Sequence, residues 1–466
     1  MSNAVPIARD ALAGRPAWLV GGAIRDRMLE RRPAGPEDVD LAIAGDVEPA
    51  ARAVARASGG APFRLSEAFG AWRVVARDGA WRIDLAPLQG ETIEQDLGQR
   101  DFTVNAMAEP LGGGELLDPT GGRTDLSGQR LRAVSEESFA RDPLRTLRLP
   151  RFVAELGFEP ERETGRMASL HAGGLADVSP ERIFAELKAM VCSPSALSGL
   201  NLCDELGLTA QVLPELSALR GVDQSRYHHL DVHDHTLAVL ESVIEIERAP
   251  HDAFGSYGDD VGELLSEPLA DGLTRGEALR FGALLHDAAK PRTRHDFGGG
   301  RVGFPGHDAL GADIARAALA RLRAGERLQA HVAALTRHHL RLGFLVHERP
   351  LSRRTVYRYL RACEPVEVDV TVLSVADRLA TRGRKADEAI GKHLELAREL
   401  LGDALAWRAA GRPAPLVRGD ELAAELALEP GPRLGELLAQ LEEDHFAGEI
   451  SNRREALARA RELLSG

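Results

Sequence analysis

Two short stretches near the N-terminus restrict the fold more than anything else in the chain: Trp18-Leu19-Val20-Gly21-Gly22-Ala23-Ile24-Arg25-Asp26 and Glu37-Asp38-Val39-Asp40-Leu41-Ala42-Ile43. The first reads as a strand, a Gly-Gly turn and a short helix. The second reads as a strand in which Val39, Leu41 and Ile43 alternate with Asp38, Asp40 and Ala42. With a side-chain period of two, the apolar set faces the core and Asp38 and Asp40 project from one other face. Two carboxylates held that close repel each other unless a cation sits between them. Hard divalent ions such as Mg²⁺ accept such oxygens and complete their shell with substrate phosphates. Gly21 and Gly22 leave backbone N–H groups open to a phosphate at the start of the next helix. A phosphate cradle beside paired carboxylates is equipment for phosphoryl or nucleotidyl transfer. The plainer reading is a Gly turn before a strand with two solvated Asp residues.

Residues 17 to about 133 continue as α/β, with further strands expected at Ala71–Ala76 and Trp81–Leu85 across an Asp78-Gly79 turn. Asp84 on the latter strand is a candidate third carboxylate. In Gln99-Arg100-Asp101-Phe102-Thr103-Val104-Asn105-Ala106-Met107-Ala108, Phe102 and Val104 can face inward. Arg100, Asp101 and Asn105 then offer a cation, an acceptor and an amide, a set suited to a ribose hydroxyl and a triphosphate. A capped helix with solvated ends is the alternative there. From about 134 the pattern turns helical. Arg141, Arg145 and Arg148 fall at helical spacing, and Asp142 lies three residues before Arg145. A guanidinium and a carboxylate so placed can hydrogen-bond the edge of a base, although an intrahelical ion pair is equally consistent. Ser179-Pro180-Glu181 opens a further helix whose buried stripe is Ile183, Leu187 and Met190.

With 466 residues there is room for about two to four domains. A net charge of −13 excludes a protein coated in basic charge, though not a local basic groove. Cys192, Cys203 and Cys363 form no paired framework, no apolar run is long enough for a membrane span, and the N-terminus lacks a signal-like pattern. A soluble cytoplasmic protein without a membrane partner is expected, and nothing in the sequence sets its oligomeric state.

GGAIRD with DVD, QRDFTVNAMA, DPTGGRTDL, RDPLRTLRLPRFVAELGF and SPERIFAELKAM resemble, in that order, the motifs of the bacterial-type tRNA nucleotidyltransferase and poly(A) polymerase family. The resemblance is dense over residues 17–215 and thinner beyond. It implies an α+β chain: a nucleotidyltransferase head (1–135), a helical neck (136–220), an HD-like metal-binding helical domain (221–400) and a C-terminal helical region that meets tRNA (401–466). It also implies that Asp38 and Asp40 hold catalytic Mg²⁺ and that Gly21, Gly22, Arg25 and Asp26 lie on the phosphate side. Arg100, Asp101 and Asn105 would contact ribose and triphosphate. Asp142 and Arg145, with Arg148 nearby, would read the Watson–Crick edge of CTP or ATP. Three departures stand out. Gln99 replaces a common Arg, Arg141 replaces a common acid, and only Leu85 to Gly98 separates the strand from QRDFTVNAMA. Many members that build the whole CCA end carry a longer flexible loop there, so its absence resembles members that add only part of the end, such as CC-adding enzymes.

Twelve of the fifteen histidines fall between His228 and His347, a concentration that suits metal ligation. Thr274 and Glu277 form a capping-box pattern before the helix that ends at His286-Asp287. The Gly- and acid-rich stretch near 248–273 reads as a mobile loop. His235, His286, Asp287 and Asp377 resemble the ligands of HD-type phosphohydrolases, with His307 and His338 available for a second ion. Mixed nitrogen and oxygen donors suit Ni²⁺, Mn²⁺, Fe or Mg²⁺. Residues 412–415 read as a linker, after which Arg453, Arg454, Arg459 and Arg461 offer either phosphate contacts or a solvated face. The leading expectation is addition of CMP, AMP or both to the tRNA 3′ end, with tRNA, CTP and ATP as partners. Its rivals are a poly(A) polymerase, an HD-type phosphohydrolase whose N-terminal half holds RNA, and a non-catalytic RNA-binding protein.

Overall fold

A six-stranded sheet organises the N-terminal part, in the order β3-β4-β5-β2-β1-β6, where β1 is Ala17–Val20, β2 Glu37–Ile43, β3 Ala61–Ser66, β4 Ala71–Val75, β5 Trp81–Pro87 and β6 Ala108–Pro110. The computed structural model describes residues 4–31, 37–66, 70–224, 230–299, 301–382 and 386–465. β2 and β5 run parallel, with Asp38 opposite Arg82 and Asp40 opposite Asp84, while every other neighbouring pair in the sheet is antiparallel. This register puts two carboxylates side by side in adjacent strands. Val39, Leu41, Ile43, Ile83 and Leu85 are buried on the opposite face, as the alternation requires. Helix Val47–Ser58, capped by Asp46, lays Val47, Ala50, Ala51, Val54 and Ala55 inward and packs against β4 and β5. Fully burying each such Val, Leu or Ile contributes about 1.5–3 kcal/mol.

The chain divides into two compact units, Met1–Val212 and Leu213–Gly466. In the first, the sheet is followed by helices Leu144–Leu156 and Pro180–Val191, which pack against each other and against Ala196–Glu205. Ile183, Leu187 and Met190 are buried as expected. Two differences appear in this unit. QRDFTVNAMA forms a single 3₁₀ turn, Thr103–Asn105, running into β6 rather than a helix. The helical stretch is also interrupted by a two-residue strand, Glu159–Pro160, paired with Arg130–Leu131.

The second unit is helical apart from two small ribbons. Its core helix, Arg275–Leu285, packs against Val232–Arg248, Glu326–His338 and Glu367–Ala380. The capping box at its start is complete, with Thr274 and Glu277 each bonding the other's backbone. The stretch expected to be a mobile loop is instead built of helices Pro250–Phe254 and Gly258–Ser266 with a 3₁₀ turn between them. Phe254, Val261, Leu264 and Leu265 are all buried. Val261, Leu264 and Leu265 fall three and four apart, and this burial outweighs the Gly and Asp content that suggested a loop. A separate cluster around Leu422, Leu437, Leu441 and Ala456 is the core of the C-terminal helices. No helix among the described residues is long and apolar enough to cross a membrane. No disulfide forms among the described residues.

Candidate functional site

In the first unit a cavity of about 390 Å³ opens where β1, β2 and β5 meet the helix Leu144–Leu156, and Gly21, Gly22, Arg25, Asp40, Asp84, Arg100, Asp101, Asn105, Arg145 and Arg148 line it. Gly21 adopts φ +72°, and a Cβ there would lie 3.2 Å from an Asp40 oxygen and 3.4 Å from Arg100 Nη1. Only glycine combines that backbone with so close an approach. At Gly22 a Cβ would meet nothing nearer than Arg25 at 3.5 Å, so that position lacks the constraint.

Asp40 reaches solvent through the cavity, yet protein crowds its other sides. This burial, then the charge of Asp84 and, behind the opposing pull of Arg100, that of Asp38, pushes its carboxyl up to about 6. The flanking acids each have an arginine: Asp38 is held by Arg82 at 2.7 and 2.8 Å, and Asp84 by Arg73 at 2.6 and 2.7 Å. Asp84 lines the cavity beside Asp40, whereas Asp38 turns out to Arg82. All-carboxylate oxygen donors with an unanswered like-charge repulsion fit a hard divalent cation.

Behind the carboxylates runs a buried polar chain. Arg25 donates to Asp26 at 2.9 Å and to Asn105 Oδ1 at 2.8 Å, and Asn105 donates to Asp101 at 3.2 Å. Asp101 also accepts from Phe102 N at 2.7 Å and pairs with Arg148 at 2.9 Å. Burial alone would raise Asp101, but the Arg148 guanidinium, the Phe102 N–H and the Asn105 amide hold it below the usual carboxylate range. Arg100 is clamped by Asp96 at 3.0 Å, and the other Asp96 oxygen accepts from Gln89 N at 2.9 Å. Arg145 donates to Arg100 O and to Ser138. Asp142 is the outlier. It does not line the cavity, and its carboxylate pairs with Arg182 at 2.7 Å.

Several contributors escaped the sequence reading. Arg151 and Phe152 line the cavity, and Arg25, Arg148 and Arg151 stack over the Phe152 ring at 5.1, 5.4 and 4.0 Å. Arg151 continues the three-residue spacing of Arg145 and Arg148, a signal available in the sequence. The roles of Arg73 and Arg82 depend on strand register and left no local signature.

The second unit gathers a different cluster. Nε2 of His235 lies 3.0 Å from Asp377 and 3.9 Å from Asp287, and Nε2 of His286 lies 3.1 Å from Asp287. On the other Asp287 oxygen, His307 approaches to 3.4 Å and His339 to 3.9 Å. Two overlapping groups, His235-His286-Asp287 and Asp287-His307-His339, therefore have metal-ligand geometry. The Nδ1 atoms of His286, His307 and His339 sit 2.6–2.8 Å from the carbonyls of Ala283, Phe304 and Thr336. That contact occupies Nδ1–H, so in the neutral ring the Nε2 lone pair is directed inward, the arrangement of a ligating imidazole. Nε2 of His286 and His307 and both Asp287 oxygens are buried without a well-formed hydrogen bond, so this donor set also fits a divalent ion. His339 takes the place expected of His338, whose Nδ1 accepts from Arg341 at 2.8 Å instead. His228 and His229 lie outside the described residues. Lys290, not anticipated, reaches Asp287 at 2.6 Å and Gln224 at 2.7 Å.

Burial would lift Asp287, but the charges of His286 and Lys290 keep it well below the usual range. Asp377 is lowered likewise, by His235 against burial. His339 is pulled down to about 4 by burial and then by His286. Near the C-terminus, Arg453 pairs with Glu425 at the surface and Arg459 with the buried Asp444, so both guanidiniums are already ion-paired.

Comparison with known proteins bears on both units. Residues 17–132 match the Poly A polymerase head domain, 157–219 the probable RNA and SrmB-binding site of polymerase A, 232–382 the HD domain and 315–460 tRNA nucleotidyltransferase domain 2. The chain is 38% identical to an A-adding tRNA nucleotidyltransferase of Deinococcus radiodurans, over 95% of this chain and 94% of that protein. It is 36% identical to a CC-adding tRNA nucleotidyltransferase of Thermus thermophilus, over 95% and 92% respectively. Its fold is that of the Bacillus stearothermophilus CCA-adding enzyme solved with CTP, at a TM-score of 0.64 and 21% identity over 100% and 98% of the two chains. The chain therefore belongs to the bacterial tRNA nucleotidyltransferase family.

Proposed function

We propose that the chain is a CC-adding tRNA nucleotidyltransferase: it adds CMP from CTP to the 3′ end of tRNA in the reducing cytoplasm and stops before the terminal A. The carrying observation is the crossing from β5 to the helix Ile93–Leu97, which is only Leu88 to Thr92. Asp96 ties this crossing to Arg100, leaving no slack for the longer loop that whole-CCA builders carry. In this reading Asp40 and Asp84 face Mg²⁺ and Asp38 joins them by exchanging Arg82 for it; the ion when bound supplies charge neutralisation and a more acidic attacking 3′-hydroxyl. Arg25, Arg100 and Arg148 receive the triphosphate, their directions fixed by Asp26 and Asn105, by Asp96 and by Asp101. Asp142 and Arg145 select the base, which requires Asp142 to exchange Arg182 for the nucleotide edge. Gly21 lets the backbone come close to a phosphate.

The four-part division at residues 135, 220 and 400 belongs to the same proposal, as does a divalent ion held by His235, His286, Asp287 and Asp377 for phosphoester hydrolysis. The inward-aimed Nε2 atoms support that ion. Incubation with labelled CTP or ATP of tRNAs lacking the whole end, ending at C75, or complete provides the test. CMP labelling of the first alone is expected. AMP labelling of the C75-ended tRNA would assign the chain to A addition, in line with its Deinococcus relative, and long A-tails on arbitrary RNA would make it a poly(A) polymerase.

A further inference from the structure

Three guanidiniums that line the head cavity gather on one benzene ring. Arg148 and Phe152 are four residues apart on the helix Leu144–Leu156, so they share a face. Arg151 reaches the ring from the preceding position and Arg25 from the helix Gly22–Met28. The guanidinium carbons of Arg148, Arg151 and Arg25 lie 5.4, 4.0 and 5.1 Å from the ring centroid. The ring is buried and stands at 89° to Phe102, 5.7 Å away, and Phe102 packs in turn against Phe139 at 6.2 Å. Among the described residues the guanidiniums stack on Phe152 and not on Phe102 or Phe139. Like charges held this close repel one another, and burial removes the water that would screen them. Arg151 is answered by Glu155 at 2.9 Å and by Glu186 at 2.5 Å. Arg148 has Asp101 at 2.9 Å, with Glu186 no nearer than 3.9 Å, and its Nε is buried without a well-formed hydrogen bond. The negative face of the ring attracts a desolvated cation and offsets what these carboxylates leave.

From this arrangement we infer that Phe152 is a positioning residue for the nucleoside triphosphate: its ring face holds Arg25 and Arg148 converged on the cavity before the nucleotide arrives, and triphosphate affinity follows the electron density of the ring. Arg151, already paired with two glutamates, completes the stack. The inference rests on the reading of Arg25 and Arg148 as receivers of the triphosphate.

The test replaces Phe152 in the full-length protein by mono-, di- and trifluorophenylalanine, which withdraw electron density from the ring face in steps while nearly keeping its shape. Inorganic tripolyphosphate and CTP, each with Mg²⁺, are titrated into every variant, and melting temperatures are recorded alongside. Affinity for both ligands is expected to fall stepwise, by about 3- to 10-fold at trifluorophenylalanine, with the melting temperature unchanged. KM for CTP should rise in parallel while kcat stays within about twofold, since the ring acts on binding. The same replacements at Phe139, in the same row of rings but without a guanidinium, are expected to leave tripolyphosphate affinity unchanged. Arg148→Gln is expected to weaken tripolyphosphate by about 10-fold or more. A flat series at Phe152, or an equal loss at Phe139, overturns the inference while the loss in Arg148→Gln keeps the triphosphate reading standing. Unchanged tripolyphosphate affinity in Arg148→Gln overturns that reading itself.

Discussion

In the head, Asp40 stands between two other acids, its carboxylate has no hydrogen bond or ion pair among the described residues, and it rises to about 6. In the second unit, Asp287 is sealed among His286, His307 and Lys290 and is held well below the usual range. On the proposed reading the two carboxylates are two ways of preparing a cation site. Around Asp40 the protein leaves a charge deficit that an incoming ion and its triphosphate must fill, so ion and substrate arrive together. Around Asp287 the imidazoles are already aimed, their Nδ1 atoms fixed by backbone carbonyls, so an ion that enters is resident.

The largest effect that could break this contrast is a reciprocal one. Asp40→Asn should lower CMP addition by about a thousandfold or more, since several kcal/mol of charge stabilisation go with it, while metal content of the second unit stays the same. Asp287→Asn should empty the second unit and leave CMP addition within about twofold. Radiolabelled CTP incorporation and elemental analysis read the two arms. Loss of CMP addition in Asp287→Asn would show that the sites are not independent.

Retention is the next discriminator. After passage through a desalting column without chelator, the protein should keep about one metal per chain in the second unit and none in the head. Asp287→Asn and the double variant His286→Ala/His307→Ala should both come through metal-free. A resident ion in those variants would place it elsewhere.

Titration separates the two acids by sign. The folded state raises Asp40, so its contribution favours the fold most below the unfolded value of 3.8 and is lost as pH rises through about 6. Asp287 is lowered, so its contribution is present above 3.8 and is lost as pH falls towards its much lower folded value. Melting temperatures of the metal-free protein from pH 4 to 7 should therefore lose a downward slope in Asp40→Asn and lose none in Asp287→Asn. With Mg²⁺ present, its apparent affinity at the head should fall about tenfold per pH unit below 6, as the proton on Asp40 competes.

The head was the more legible region because its chemistry follows strand period. Asp38 and Asp40 lie two apart on β2, and β1, β2 and the β4–β5 hairpin formed where the apolar alternation placed them. Register was not legible. It is the parallel pairing of β2 with β5 that brings Asp84 to Asp40 and gives Asp38 to Arg82, and pairing partners depend on contacts distant in sequence. In the second unit the identities of His235, His286, Asp287 and Asp377 could be read. The choice between His338 and His339 depends on where helix Glu326–His338 ends, one residue deciding which imidazole faces inward. The helices after Arg248 were obscured by Gly255, Gly258 and Gly262 and by Asp252, Asp259 and Asp260, of which the acids are exposed.

The smallest effect concerns two adjacent glycines, and it tests whether the head's deficit depends on backbone closeness. Gly21→Ala forces a side chain into φ +72° and sets a Cβ 3.2 Å from the Asp40 carboxylate. A cost of about 1–2 kcal/mol in stability and weaker CTP binding are expected together, because the same atom strains the turn and displaces the acid. Gly22 begins the helix Gly22–Met28, where an added Cβ meets Arg25 at an ordinary 3.5 Å. Gly22→Ala should therefore be neutral or stabilise by up to about 1 kcal/mol, since alanine loses less backbone entropy in a helix. Chemical denaturation and CTP titration of the two variants give opposite signs if closeness matters, and matching losses would mean that the turn serves the fold alone.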